Sequence, residues 1–291
     1  MPNRTIPAPA KPGLKRRWLF VILALTLLFV LMPFLFWQAT WFGKPLNDAQ
    51  LEKSLADRTH PREVQHALSQ IADRILARDA STRDSVRRFY PQVVAIARTG
   101  QDELRLTAAW VMGQDNSVPD FHQELLRLVQ DPSPMVRRNA ALALVRFGDA
   151  SGLAEIRSML QPYAVTVPRG GSALDERLKP GAVINPGTLL GRINFGDRAR
   201  DELRSQIPGT IDHWLVADRT AVTAGQPVLL VNPSVEEIWE SLRALYLIGE
   251  SQDLRAVEEF ARGTRGSGDL PAHVRQQAEL TATAIRSRSS R

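Results

Sequence analysis

The chain has no cysteine among its 291 residues. That excludes disulfides, thiolate zinc sites, iron–sulfur clusters and cysteine nucleophiles, and it suits an oxidising compartment without requiring one. Histidine is scarce and dispersed (His60, His66, His122, His213, His273). The phrase HPREVQH sets two of the five six residues apart, off a single helical face, so the HExxH metal geometry is missing. No G-x-S-x-G elbow occurs. GTRGSGD near residue 263 lacks the Gly-Lys-Ser/Thr of a phosphate loop and reads as a linker. The carboxylate pairs Glu236-Glu237 and Glu258-Glu259 are adjacent on helices and read as solvated faces. With no catalytic, metal or cofactor site in view, the expectation is a protein that is not an enzyme.

Acidic residues are absent from the first 43 positions, which carry Arg4, Lys11, Lys15, Arg16 and Arg17. The net charge of +6 is therefore local: outside those five, 32 basic residues face 31 acidic ones. Arg286, Arg288 and Arg291 add a small basic tail at 287–291 and just before it. Phosphate neutralisation needs a basic face, and the near-neutral remainder argues against a nucleic-acid partner.

Between Trp18 and Gly43 no residue is charged. A helix of about 26 residues spans roughly 39 Å, enough to cross the hydrocarbon core of a bilayer. Trp18 at one end, and Trp37 and Trp41 at the other, suit the two interfaces. The run is longer than a signal-peptide core and ends in Phe34, Phe36, Trp37 and Trp41 where a cleavage site would need small residues, so a retained anchor over 18–43 is expected. Lys15, Arg16 and Arg17 precede the span and only Lys44 closely follows it. Positive-inside bias then places a disordered, proline-rich leader (1–17) in the cytoplasm and residues 44–291 outside it. The expected location is the inner membrane of a bacterium, single-pass, with the bulk periplasmic and the lipid bilayer as a partner of 18–43.

Beyond the anchor, apolar residues recur at helical spacing over 61–77, 86–98, 102–112, 120–129, 134–147, 152–160, 235–248, 254–263 and 271–286. One helix of each pair opens on a similar phrase: PREVQHAL, DELRLTAAWVMG, PMVRRNAALALVRFGD, EEIWESLRALYLIGE and HVRQQAELTATAI. The stretch QDPSPMVRRNAALALVRFGDASGLAEIRSML resembles HEAT-repeat sequence, with Asp131 and Pro132 before the helix, Arg137 at its start and Gly148-Asp149 after it. The resemblance implies structural inter-repeat ladders for Asp131 and Arg137. Arg105, Arg138, Arg243 and Arg275 recur near the same helix starts, and both a ladder and a partner-binding surface stay open for them. Trp110, among apolar neighbours, is expected in the core, and Trp239 is expected to pack the modules together.

The repeats begin near 61, 102 and 135, then near 237 and 273. The long third interval exceeds any single repeat, so about 70 residues are expected to be inserted between the two helices of one pair. Residues 162–233 lose helical period and repeat themselves: Gly181-x-x-Ile184-x-x-Gly187-x-x-Leu190 is matched 38 positions later by Arg219-x-x-Val222-x-x-Gly225-x-x-Val228, and Gly171 by Gly209. Two similar halves of short strands predict a small closed sandwich with internal pseudo-symmetry. The phrases LKPGAVINPGTLLGRI and IPGTIDHWLVADRTAVTAGQPVLLVNP resemble the barrel-sandwich hybrid of biotinyl and lipoyl carriers and of bacterial membrane fusion proteins. In carriers a hairpin lysine takes the cofactor. The matching position here is Asp197, and Lys179 precedes a different turn, so no cofactor is expected.

The expected fold class is mainly α, HEAT-type repeats over 44–161 and 234–286 with a small all-β insert at 162–233, a multidomain α+β chain behind a single-pass anchor. The expected function is a non-enzymatic scaffold or adaptor for protein–protein interaction outside the cytoplasm. The alternative is a divergent membrane-fusion-type component of an efflux or secretion system.

Overall fold

The computed structural model describes residues 13–39, 45–173, 177–194, 200–265 and 270–290. Two compact units divide the chain, Met1–Leu51 and Glu52–Arg291. In the first, helix α1 (Gly13–Ala39) runs through Pro33. Its stretch Trp18–Leu35 is long and apolar enough to cross a membrane, and none of it is buried. A membrane anchor and a signal sequence share that property. The side chains of Lys15, Arg16, Arg17, Trp37 and Trp41 lie outside the described ones.

Helix α2 (Asp48–Ala56) lies outside the segments that the apolar pattern predicts. Its signal is a cap: the Asn47 side chain accepts from the Gln50 backbone N–H at 2.9 Å, and the Gln50 side chain accepts from the Asn47 N–H at 3.0 Å. Such a reciprocal pair satisfies two otherwise orphaned donors.

The second unit is a row of helix pairs. α3 (Pro61–Ile75), α6 (Asp102–Met112), α8 (Pro134–Arg146), α10 (Val235–Ile248) and α12 (Ala272–Ser289) pack side by side as an inner row. α5 (Tyr90–Thr99), α7 (Pro119–Leu128), α9 (Leu153–Ser158) and α11 (Leu254–Ala261) each back the inner helix that follows them. α3 shows why such helices form: Pro61 occupies the first turn, where its missing N–H costs nothing, and Val64, Ala67, Leu68, Ile71, Ala72 and Ile75 make one buried stripe. The single helix expected over 86–98 is divided. α4 (Ala80–Val86) is followed by a 3-10 turn at Arg87–Phe89 and then α5, because Pro91 fits only the first turn of a new helix. α12 runs on to Ser289, past the expected end at 286, and Arg288 donates to the carbonyls of Leu245, Tyr246 and Gly249 at the end of α10.

α9 and α10 form one pair although 76 residues separate Ser158 from Val235 in sequence. The Ser241 hydroxyl of α10 donates to the Ile156 carbonyl of α9 at 2.8 Å, and both are buried. Small residues set the spacing nearby. A side chain at Gly152 would meet the Cα of Ala141 at 2.6 Å, so α8 and α9 can pack this closely only with glycine there.

Between α9 and α10 stand eight strands: β1 (Tyr163–Thr166), β2 (Gly171–Ala173), β3 (Val183–Ile184), β4 (Leu189–Asn194), β5 (Arg200–Arg204), β6 (Gly209–Trp214), β7 (Ala221–Val222) and β8 (Pro227–Asn232). They make two antiparallel sheets, ordered β1-β8-β6-β3 and β5-β4-β2-β7. Exchanging each strand for its counterpart 38 residues on turns one order into the other. The symmetry reaches single hydrogen bonds. Gly187 donates to the Ser205 carbonyl and Gly225 to that of Val167, both at 2.8 Å. Gly187 and Gly225 share a left-handed φ, +85° and +79°. Core positions match too: Val165 with Leu203, Ile184 with Val222, Leu190 with Val228 and Ile193 with Val231. Arg219 breaks the pattern. It takes φ 58° where its counterpart Gly181 takes 83°, and it is the one non-glycine with positive φ among the described residues.

A candidate interaction cleft

Where the β-module leaves and re-enters the helical array, α8 and α10 touch less closely than their neighbours in the inner row. A cleft of about 730 Å³ opens along that seam, with Trp110 of α6 on one side and Leu280 of α12 on the other. Pro208 of the β-module, Arg138 and Glu237 also line it. Trp110, Tyr246, Leu247 and Leu280 line it and remain substantially exposed (40–58%). Trp110 is therefore not the core residue its apolar surroundings predict. The buried residues of α6 are Leu104, Ala108, Ala109, Val111 and Met112, and Trp110 projects away from them.

Arg138 is the node of the site. It is buried in α8 and hydrogen-bonds to the buried carboxylate of Glu237 in α10. Its Nε has no hydrogen-bond partner and stands 3.6 Å from Glu155 of α9, while its guanidinium carbon lies 5.8 Å from the centre of the Tyr163 ring, the first residue of β1. One arginine thus touches the last helix before the β-module, its first strand, and the first helix after it. Glu237 is not the solvated carboxylate the adjacent pair Glu236-Glu237 suggests. It caps α10 in a reciprocal pair with Ser234, and burial raises its pKa against the attraction of Arg138.

The other predicted positions divide into ladder and surface. Arg105 forks onto Asp131 through two bonds of 2.8 Å. Burial of Asp131 opposes ionisation, but the bonds from Arg105 and from the Ser133 N–H outweigh it and hold its pKa below the usual range. The rung that sequence implied for Asp131 and Arg137 is thus made by Arg105. Arg137 reaches the backbone carbonyl of Asp131 at 2.9 Å and the carboxylate of Glu155 at 3.0 Å. The turn that would follow α9 in an uninterrupted array is replaced by the β-module, and Glu155 supplies the carboxylate instead. Arg157 of α9 resumes the ladder on Asp253 at 2.6 Å. Trp239 stacks with Arg243 (4.5 Å) and meets the edge of His273 (6.3 Å), both within the helical array. The junction expected of Trp239 is made by Arg138, Glu237 and Tyr163. Arg275 is exposed.

In the β-module, β4 and β5 form the hairpin between the two halves, with Asn194 opposite Arg200. Its tip, residues 195–199 with Asp197, lies outside the described residues. Lys179 is exposed in the turn before β3. Among the described residues no cluster of three or more metal-ligating side chains occurs.

Residues 90–169, from the start of α5 into the β-module, match the family model for HEAT repeats. No curated protein matches the chain. Six solved chains do, among them one from work titled "Structure and function of a single-chain, multi-domain long-chain acyl-coa carboxylase". That chain is 15% identical over 45% of this one, with a TM-score of 0.24. The match spans only 14% of the carboxylase chain.

Proposed function

We propose that this protein is a non-enzymatic scaffold, held by α1 as a retained anchor in the inner membrane, whose α8/α10 cleft receives a partner polypeptide on the periplasmic side. The observation that carries this reading is the cleft itself. Four large apolar side chains that could have been buried line one concavity, and exposed apolar patches of that kind mark interaction surfaces. Helical repeats commonly present such concave faces, and ladder arginines that are already paired leave the cleft as the adaptable surface. The β-module, read as a barrel-sandwich hybrid with Asp197 where carriers have lysine, then borders the site through Pro208 and takes no cofactor.

The pseudo-symmetric β-module favours one second reading, a divergent membrane-fusion-type component. The connection between its halves is too short for the long helical hairpin of that class, which weakens it. Photo-crosslinking residues placed at Leu280 and at Val183, an exposed β3 position, separate the two in intact membranes. The scaffold reading expects a discrete adduct from Leu280 that disappears in Trp110→Ala. Adducts from Val183 alone, with a transporter in them, would support the second reading and remove the first.

A further inference from the structure

The charges lining the cleft are not all paired, and those left over have opposite signs at opposite ends. Arg138 is neutralised by Glu237, and Arg243 by Glu240 at 3.3 Å. Glu236, exposed in the cleft lining, has no hydrogen bond or ion pair among the described residues, and its charge further raises the pKa of Glu237. Arg146, exposed, donates only to neutral acceptors in the cleft wall, the Gln114 side chain at 2.7 Å and the Gly113 carbonyl at 3.4 Å. No carboxylate among the described residues pairs with it. Arg146 stands eight residues beyond Arg138 on α8, or about 12 Å along the helix. Glu236 adjoins Glu237, which meets Arg138, so along the direction of α8 the two unmatched charges are offset by about two helical turns.

We propose that the partner segment docking here is an apolar stretch of polypeptide that carries a basic side chain at the Glu236 end and an acidic one at the Arg146 end. This rests on the cleft being the binding surface. An apolar segment satisfies Trp110, Leu247 and Leu280, and only a ligand with both signs, spaced by about two turns of helix or four extended residues, satisfies both ends. A lipid with a single anionic head would match Arg146 and leave Glu236 beside apolar chain.

The test is selection of a displayed library of random twelve-residue peptides on the full chain in detergent. Clones are expected to share an apolar centre flanked by one acidic and one basic residue, and to lose binding to Leu280→Asp. Arg146→Glu and Glu236→Lys, both at exposed sites, should each weaken those clones by about two- to fivefold at low salt, the range of an exposed ion pair. The double reversal should prefer peptides with their end charges exchanged. Clones abolished by Leu280→Asp yet indifferent to both reversals overturn the charge assignment and leave the cleft standing. Clones indifferent to Leu280→Asp, or a library that yields no cleft-dependent clone, overturn the cleft and this inference with it.

Discussion

Replacing Arg138 with methionine is expected to destabilise residues 52–291 by about 3–5 kcal/mol, because it strands a buried carboxylate without its counter-charge. The side chain volume is nearly kept, so the loss comes from electrostatics rather than from a cavity. Glu237 stays buried and loses its cation, Glu155 loses a neighbour, and Tyr163 loses the guanidinium over its ring. The double variant Arg138→Met with Glu237→Gln removes both charges and keeps a side chain able to cap Ser234, so most of the loss should return. Sign follows from linkage. Glu237 already has a raised pKa in the folded protein, so its contribution is present at low pH and lost as pH rises through that value. The deficit of the single variant should therefore shrink on acidification. Denaturant titrations of the three proteins at two pH values measure all of this. A single variant as stable as the parent would show that Arg138 does not hold the junction together.

The second large effect is expected at Gly209. Alanine there would place its Cβ 2.3 Å from the Asn232 carbonyl oxygen and 2.7 Å from Cγ1 of Val231, at a φ of +156° that non-glycine residues rarely adopt. β6 and β8 would have to separate, so a cost of about 3 kcal/mol or more is expected from overpacking and backbone strain together. Gly187→Ala is the control. It shares a positive φ but meets nothing within 4 Å, and about 1 kcal/mol is expected from strain alone. Loss of ordered Trp214 fluorescence, with helical circular dichroism largely kept, would show the β-module giving way while the helices hold.

Much of this architecture was legible because it is periodic. The stripe of α3, the shared opening phrases of the inner helices and the 38-residue repeat of the β-module are patterns that burial and turn geometry impose on sequence. The interval between the third and fourth openings located the insertion between α9 and α10 for the same reason. The cleft was not legible. Trp110 sits one position from a buried stripe, and nothing in the local order tells that α8 and α10 are held apart beside it. Glu237 reads like any solvated helix acid until a distant arginine, 99 positions earlier, is folded against it. α2 announces itself by a cap instead of by a long apolar face, so the apolar pattern does not predict it. Long-range pairing escapes a local reading, and the candidate site is built almost wholly from it.

The helices before and after the β-module form one array through the α9/α10 pair, with the cleft at their seam. Hydrogen exchange on the intact, unmodified chain across a denaturant series tests it most directly, because exchange reports which segments open together. Amides of α8, α9, α10 and α12 are expected to become exposed in one shared step, separate from β1–β8. If α10–α12 instead open as a unit of their own, independent of α8 and α9, the array is two domains joined through a β-module, and the seam that makes the cleft is not a built site.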